Sequence, residues 1–168
     1  MKIFLIGFMG SGKTKIGEKL AKKLDFRFID LDVYIENKFD KSIIEIFRRN
    51  GELEFRNMEK NSLDEILNLE NVVVATGGGT ACFHDNIEQM NRTGITIYIK
   101  TNPGILFSRL TKSKTSRPLI QNKSEKDLTK YISDTLKIRE VYYAKAKICL
   151  DGKNVKIPEL VSQIIRFV

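Results

Sequence analysis

Several groups of residues in this chain have types and spacing suited to chemistry. The first is GFMGSGKTK, Gly7 to Lys15, directly after the apolar run KIFLI. Gly7, Gly12, Lys13 and Thr14 fit the pattern G-x-x-x-x-G-K-[ST]. Such a loop curls so that successive backbone N–H groups point inward, and side chains at Gly10 or Gly12 would block a polyphosphate. A helix opening at Lys13 adds the positive end of its dipole. Lys13 can reach the β- and γ-phosphates of ATP, and the Thr14 hydroxyl can hold a Mg²⁺ ion. Gly10, Ser11, Gly12, Lys13, Thr14 and Lys15 are therefore the candidate nucleotide contacts. Lys15 either meets a phosphate oxygen or faces water.

The second group is the acidic pair Asp30 and Asp32 in FRFIDLD. In an extended segment, residues two apart face the same side, so both carboxylates would meet Thr14 at the strand ends. One can support Mg²⁺, an oxygen-seeking ion, and the other can accept or orient the proton of an acceptor hydroxyl. The competing reading is that Asp32 caps the helix beginning VYIENKF.

Arginines form the third group. Arg139 lies on one helical stripe with Leu128, Ile132, Leu136 and Tyr143. Arg56 shares a stripe with Leu63 and Leu67, with Glu59 three positions on. An inward arginine needs an anion, either a structural carboxylate or a bound acid held bidentately. Arg117 precedes Pro118 in a polar stretch; it is either an exposed loop residue or a group that closes on the phosphates. Gly77, Gly78 and Gly79 follow a strand and allow a ligand close to the backbone. Phe47 and Phe55 are possible pocket walls. His84 is the only histidine, which excludes a triad or metal site built on histidines.

The elements that must position these groups alternate. KIFLI, FRFIDLD, NVVVA, ITIYI and ICL read as strands. Helices are expected at Lys13 to Leu24, from Ser42 to a stop at Gly51, and at Glu52 to Leu67. Further helices are expected at Phe83 to Asn91, Pro103 to Leu110, Asp127 to Ala146 and Pro158 to Phe167. Ser42 with Glu45 is a capping box. VVVA and ITIYI, apolar on both faces, imply an α/β fold with a parallel sheet covered on both sides by helices. The polar stretch 111–126 lacks periodicity and is long for a connection, which suits a mobile lid.

The chain has 168 residues, 42% hydrophobic and 30% charged, suited to a single globular domain. Its apolar runs are too short for a membrane span, and no export signal is expected. Cys82 and Cys149 make no disulfide framework, so a cytoplasmic protein is expected. The net charge of +8 suits anionic ligands but comes without the basic runs of nucleic-acid tails, so no nucleic-acid partner is expected.

Taken together, GFMGSGKT, FIDLD, SIIEIFRRNGELEFRNME, ATGGG, RPL at Arg117 to Leu119 and R-x-x-x-Y at Arg139 to Tyr143 resemble the shikimate kinase family over nearly the whole chain. The resemblance implies a three-layer P-loop kinase fold with a five-stranded parallel sheet in the order 2-3-1-4-5. It implies one domain over 1–168, with a lid at about 111–126 and a substrate-binding region at about 32–62. The implied activity is transfer of the ATP γ-phosphoryl to the 3-hydroxyl of shikimate, in the route to chorismate; nothing in the sequence demands more than a monomer, which is the expected state. By motif, Lys13, Asp32 and Arg117 would be catalytic, and Thr14 with Asp30 would hold Mg²⁺. Asp32, Arg56, Gly77, Gly78, Gly79 and Arg139 would bind shikimate. Arg109 and Arg117, with Lys156, would join the cradle around ATP. Lys15 stands where the family usually has a threonine that meets the α-phosphate. Two other readings compete: a nucleotide or gluconate kinase of the same fold, and a nucleotide-binding regulator or RNA-binding protein with a vestigial site.

Overall fold

The structure is a computed structural model that describes residues 1–113 and 117–167. Its strands are β1 (Lys2–Ile6), β2 (Arg27–Asp30), β3 (Val72–Ala75), β4 (Ile95–Lys100) and β5 (Ile148–Asp151). They form one sheet in the order β2-β3-β1-β4-β5, with every pairing parallel. The helices are α1 (Lys13–Leu24), α2 (Leu31–Phe39), α3 (Ile43–Ile66), α4 (Asn86–Thr93), α5 (Pro103–Lys112), α6 (Glu125–Tyr143) and α7 (Ile157–Ile165). Short 3₁₀ turns lie at Thr80–Cys82 and Pro118–Ile120.

Successive residues of β1 serve opposite faces, as strand geometry requires. Ile3 and Leu5 pack with Leu20 of α1 and Leu160 and Ile164 of α7. Phe4 and Ile6 pack with Ile35, Ile46, Leu63 and Met90 from the helices of the other face. The central strand is thus fully covered, and its backbone is paired on both edges. A third cluster of Phe8, Leu106, Leu110, Leu128 and Ile132 ties α5 and α6 to the loop that leaves β1. That loop emerges at the C-terminal end of the sheet, where open parallel sheets bind ligands.

Some element boundaries differ from the sequence expectation. FRFIDLD is extended only to Asp30, and Asp32 lies in the first turn of α2. The cause is Asp30 itself: as N-cap, its Oδ1 accepts from the backbone N–H of Asp32 at 3.1 Å and of Val33 at 3.4 Å. The two carboxylates therefore converge through a helix start, not through strand alternation, and it is Asp30 that caps. At Gly51 the expectation holds: its φ of 79° and ψ of 173° are non-helical and suit glycine, so α3 is two helices joined across a kink, one stopping there and the next starting at once. Ser42 caps α3, accepting from Glu45 N–H at 3.2 Å. α4 starts three residues later than expected because a 3₁₀ turn and His84, with a φ of 52°, precede it. Ser124 caps α6 by accepting from Asp127 N–H, which moves its start back to Glu125. Of the expected lid at 111–126, α5 covers the first two residues and α6 begins within the last; residues 114–116 lie outside the described residues.

Candidate active site

The cradle leaves β1 at Gly7 and enters α1 at Lys13. Gly10 and Gly12 take φ of 80° and 100°, the left-handed region that lets the loop curl. Lys13 is buried, and its ammonium donates to the carbonyls of Gly7 at 2.8 Å and Phe8 at 3.0 Å. Burial pulls its pKa down to about 8, against the attraction of Asp32 and Asp30. Thr14 Oγ1 donates to Asp30 Oδ2 at 2.8 Å. A hydroxyl and a carboxylate oxygen side by side beside a phosphate cradle fit Mg²⁺, which takes few protein ligands and completes its shell with phosphate oxygens and water. Among the described residues no cluster of three or more His, Cys, Asp or Glu could hold a metal by itself.

Two cavities open here. One, of about 990 Å³, runs along the cradle past Lys15, Arg109, Gly152 and Val155. Arg109 spans it, donating from Nη1 to the carbonyls of Gly10 and Ser11, both at 3.1 Å. Lys15 is exposed on its rim. The other, of about 390 Å³, lies under α2 and α3. Met9, Thr14, Asp30, Asp32, Gly78 and Arg117 line both, so these residues form the seam between them.

The smaller cavity is a charged pocket with aromatic walls. Asp32 sits at the seam, its pKa pushed up to about 6, first by burial and then by the charges of Glu59 and Asp30. That places it near the basicity a general base needs at neutral pH. Arg56 is buried, and donates from Nη1 to Glu59 Oε2 at 2.8 Å and from Nη2 to Glu52 Oε1 at 3.0 Å. Its guanidinium lies 4.1 Å from the centre of the Phe83 ring. Burial alone would lower its pKa, but Glu59 and Glu52 more than reverse this and keep it charged. Glu59, fully buried, also accepts from Thr80 Oγ1 at 2.6 Å. Arg139, on α6, donates from Nη1 to the Gly78 carbonyl at 3.1 Å. The glycine turn fits between these groups because it lacks side chains. A Cβ at Gly79 would stand 2.6 Å from Arg56 Nη2, and one at Gly77 would stand 2.9 Å from Glu59 Oε1. Phe47 and Phe55 line the wall. Arg117 is half-buried and reaches Ser113 Oγ at 3.4 Å. Burial lowers its pKa while Asp32 opposes the shift.

Nearly all the sequence candidates thus meet around two adjoining cavities. Lys156 does not: it is exposed, pairs with Glu159 at 2.8 Å, and is absent from the cavity lining, where Gly152 and Val155 stand instead. Met9, Phe83, Glu52 and the second contact of Glu59 were not anticipated. Glu59 carried a signal, its three-residue offset from Arg56. Phe83 carried none, because its partner lies in a different element.

A phosphate cradle at the end of the central strand of a 2-3-1-4-5 sheet, with an acceptor cavity sharing its seam, defines a P-loop kinase. A model of the shikimate kinase family matches residues 9–168, and the chain belongs to that family. The shikimate kinase of Bacteroides thetaiotaomicron is 46% identical over 156 residues, covering 93% of this chain and 89% of that protein. A crystal structure of shikimate kinase from the same organism superposes with a TM-score of 0.91 at 41% identity, covering 99% of this chain and 97% of that one. The shikimate kinase of Acinetobacter baumannii, in complex with shikimate, gives 0.88 at 33% identity, covering 99% and 91%. A deoxyadenosine kinase from M. mycoides, at 16% identity and a TM-score of 0.58 over 99% of this chain and 97% of that one, shares the fold.

Proposed function

We infer that the protein transfers the γ-phosphoryl of ATP to the 3-hydroxyl of shikimate, releasing shikimate 3-phosphate and ADP on the way to chorismate and the aromatic amino acids. The observation that carries this reading is the shared seam. Asp32 and Arg117 border both cavities, so a hydroxyl in the smaller one faces a phosphate in the larger. The smaller cavity matches shikimate in chemistry, with two buried arginines for a carboxylate and polar groups for ring hydroxyls.

Each residue then has a task. The cradle N–H groups and Lys13 hold the phosphates in line with the acceptor. Thr14 and Asp30 would hold Mg²⁺, which supplies charge neutralisation on the phosphate oxygens. Asp32 takes the proton of the 3-hydroxyl as its oxygen bonds to the γ-phosphorus and the bond to ADP breaks. Arg56 and Arg139 hold the carboxylate, and Gly77, Gly78 and Gly79 let the ring lie against backbone. Arg117 stabilises charge on the phosphoryl group in flight. Arg109 and Lys15 border the nucleotide.

Residues 111–126 serve as the lid and 32–62 as the substrate-binding region of one domain over 1–168. The enzyme works as a monomer in the cytoplasm, with neither nucleic acid nor membrane as partner. Among the described residues no helix is long and apolar enough to cross a membrane. A coupled assay tests the reading: Mg²⁺-dependent ADP release should require shikimate. ADP release with gluconate but not with shikimate would overturn it.

A further inference from the structure

The carbonyl of Gly78 receives two hydrogen bonds from α6. Arg139 Nη1 donates at 3.1 Å, and the Tyr143 hydroxyl donates to the same oxygen. The donors are four residues apart, one above the other on a helix face. A carbonyl oxygen has two lone pairs, so this one is satisfied twice. Tyr143 is fully buried and lines neither of the two cavities. Burial raises its pKa far above the usual tyrosine value, so it keeps the proton it donates. Its ring packs on Tyr98, with centroids 5.0 Å apart, and the Tyr98 hydroxyl donates at 2.7 Å to Glu140.

The peptide that carries this carbonyl joins Gly78 to Gly79. It is planar, so whatever fixes its oxygen fixes the whole unit. On one side it meets Arg139. On the other, Gly79 approaches Arg56 so closely that a Cβ would stand 2.6 Å from Nη2. Rotation of this one peptide would therefore disturb both arginines.

We propose that Tyr143 is a positioning residue for the acceptor cavity: by holding the Gly78 carbonyl it fixes the peptide between Arg139 and Arg56, and so sets the spacing of the carboxylate clamp. This rests on the reading of that cavity as the shikimate site. Tyr143 touches no substrate; it acts through the Gly78 carbonyl and, beside it, on the Arg139 guanidinium that its hydroxyl also meets. With its hydroxyl removed, the carbonyl keeps Arg139 but is free to follow it.

Tyr143→Phe tests this, because it keeps the ring and its packing on Tyr98. The expected result is a shikimate KM raised about 5- to 10-fold, the cost of one buried hydrogen bond, with kcat and the KM for ATP unchanged. Tyr98→Phe removes a tyrosine hydroxyl from the other half of the stacked pair and should leave both KM values alone. Hydrogen exchange on ligand-free protein supplies a readout independent of substrate: amides of the 77–80 turn should exchange faster in Tyr143→Phe and not in Tyr98→Phe. An unchanged shikimate KM, an equal rise for both substrates, or unchanged exchange in the turn would overturn the proposal. So would the same effects in Tyr98→Phe. Wild-type protein inert toward shikimate would instead overturn the substrate reading, leaving the exchange result to decide the role of Tyr143.

Discussion

Gly7 to Lys15 build the phosphate cradle from one contiguous stretch, whereas the acceptor cavity beside it draws Asp32 from α2, Arg56 and Glu59 from α3, the glycine turn from the end of β3 and Arg139 from α6. The cradle works mainly through backbone groups, and Gly10 and Gly12 adopt a curl that side chains would resist. The cavity works through ionised side chains that must be paired while buried. The first kind of site depends on local conformation. The second depends on long-range packing, since Arg139 and the carbonyl it meets are 61 positions apart. The cavity should accordingly be the region where one substitution changes both chemistry and stability.

The largest effect should come from Asp32→Ala at the seam. It is expected to lower kcat by roughly 10²–10⁴, the range for losing a positioned general base, with ATP binding retained by fluorescence titration. Equal loss of ATP binding would mean that seam and cradle are not separable. Next comes Glu59→Ala, which removes the buried one of the two carboxylates paired with Arg56, leaves Nη1 without its acceptor and keeps only Glu52 on the guanidinium. Chemical denaturation should show a loss of roughly 1–3 kcal/mol, together with weaker shikimate binding. An unchanged midpoint would refute the view that the cavity is held by paired charge. Arg139→Ala should raise the shikimate KM by roughly 10- to 100-fold, as expected for hydrogen bonds to a charged group, while the KM for ATP stays put.

Two smaller changes sharpen the contrast from the other side. Lys15→Thr should change ATP affinity by only a few fold, the scale of an exposed charge interaction; calorimetry showing no change would make Lys15 a surface lysine. Glu70 lies away from both sites, and its carboxyl is held down to about 2, chiefly by hydrogen bonding from Lys2. A depressed folded-state pKa adds stability above the ordinary value near 4.5 and loses it as pH falls toward 2. Glu70→Gln should therefore lower Tm slightly at neutral pH, and the gap should close in acid.

The cradle could be read from residue types because its spacing is a property of one loop. The α1 boundaries followed directly from it, and the capping of α3 was legible in Ser42 and Glu45 for the same reason. The arginine stripes showed that charges face inward but left their partners open. Arg56 turned out to be paired with Glu59 and Glu52, and Arg139 with a backbone carbonyl. Lys156 shows the converse: it pairs with Glu159, three residues on, and does not line the nucleotide cavity.

By itself the sequence determined the alternation of buried strands and amphipathic helices, the phosphate cradle and its nucleotide. These rest on short-range hydrogen bonding and periodic burial, which act between residues close in the chain. The tertiary structure alone decided that Asp32, turned by the local Asp30 cap, meets the seam, that Phe83 backs Arg56, and that Tyr143 and Arg139 share the Gly78 oxygen. Those outcomes depend on which helix packs over which strand end, and on how buried charges find partners across the fold.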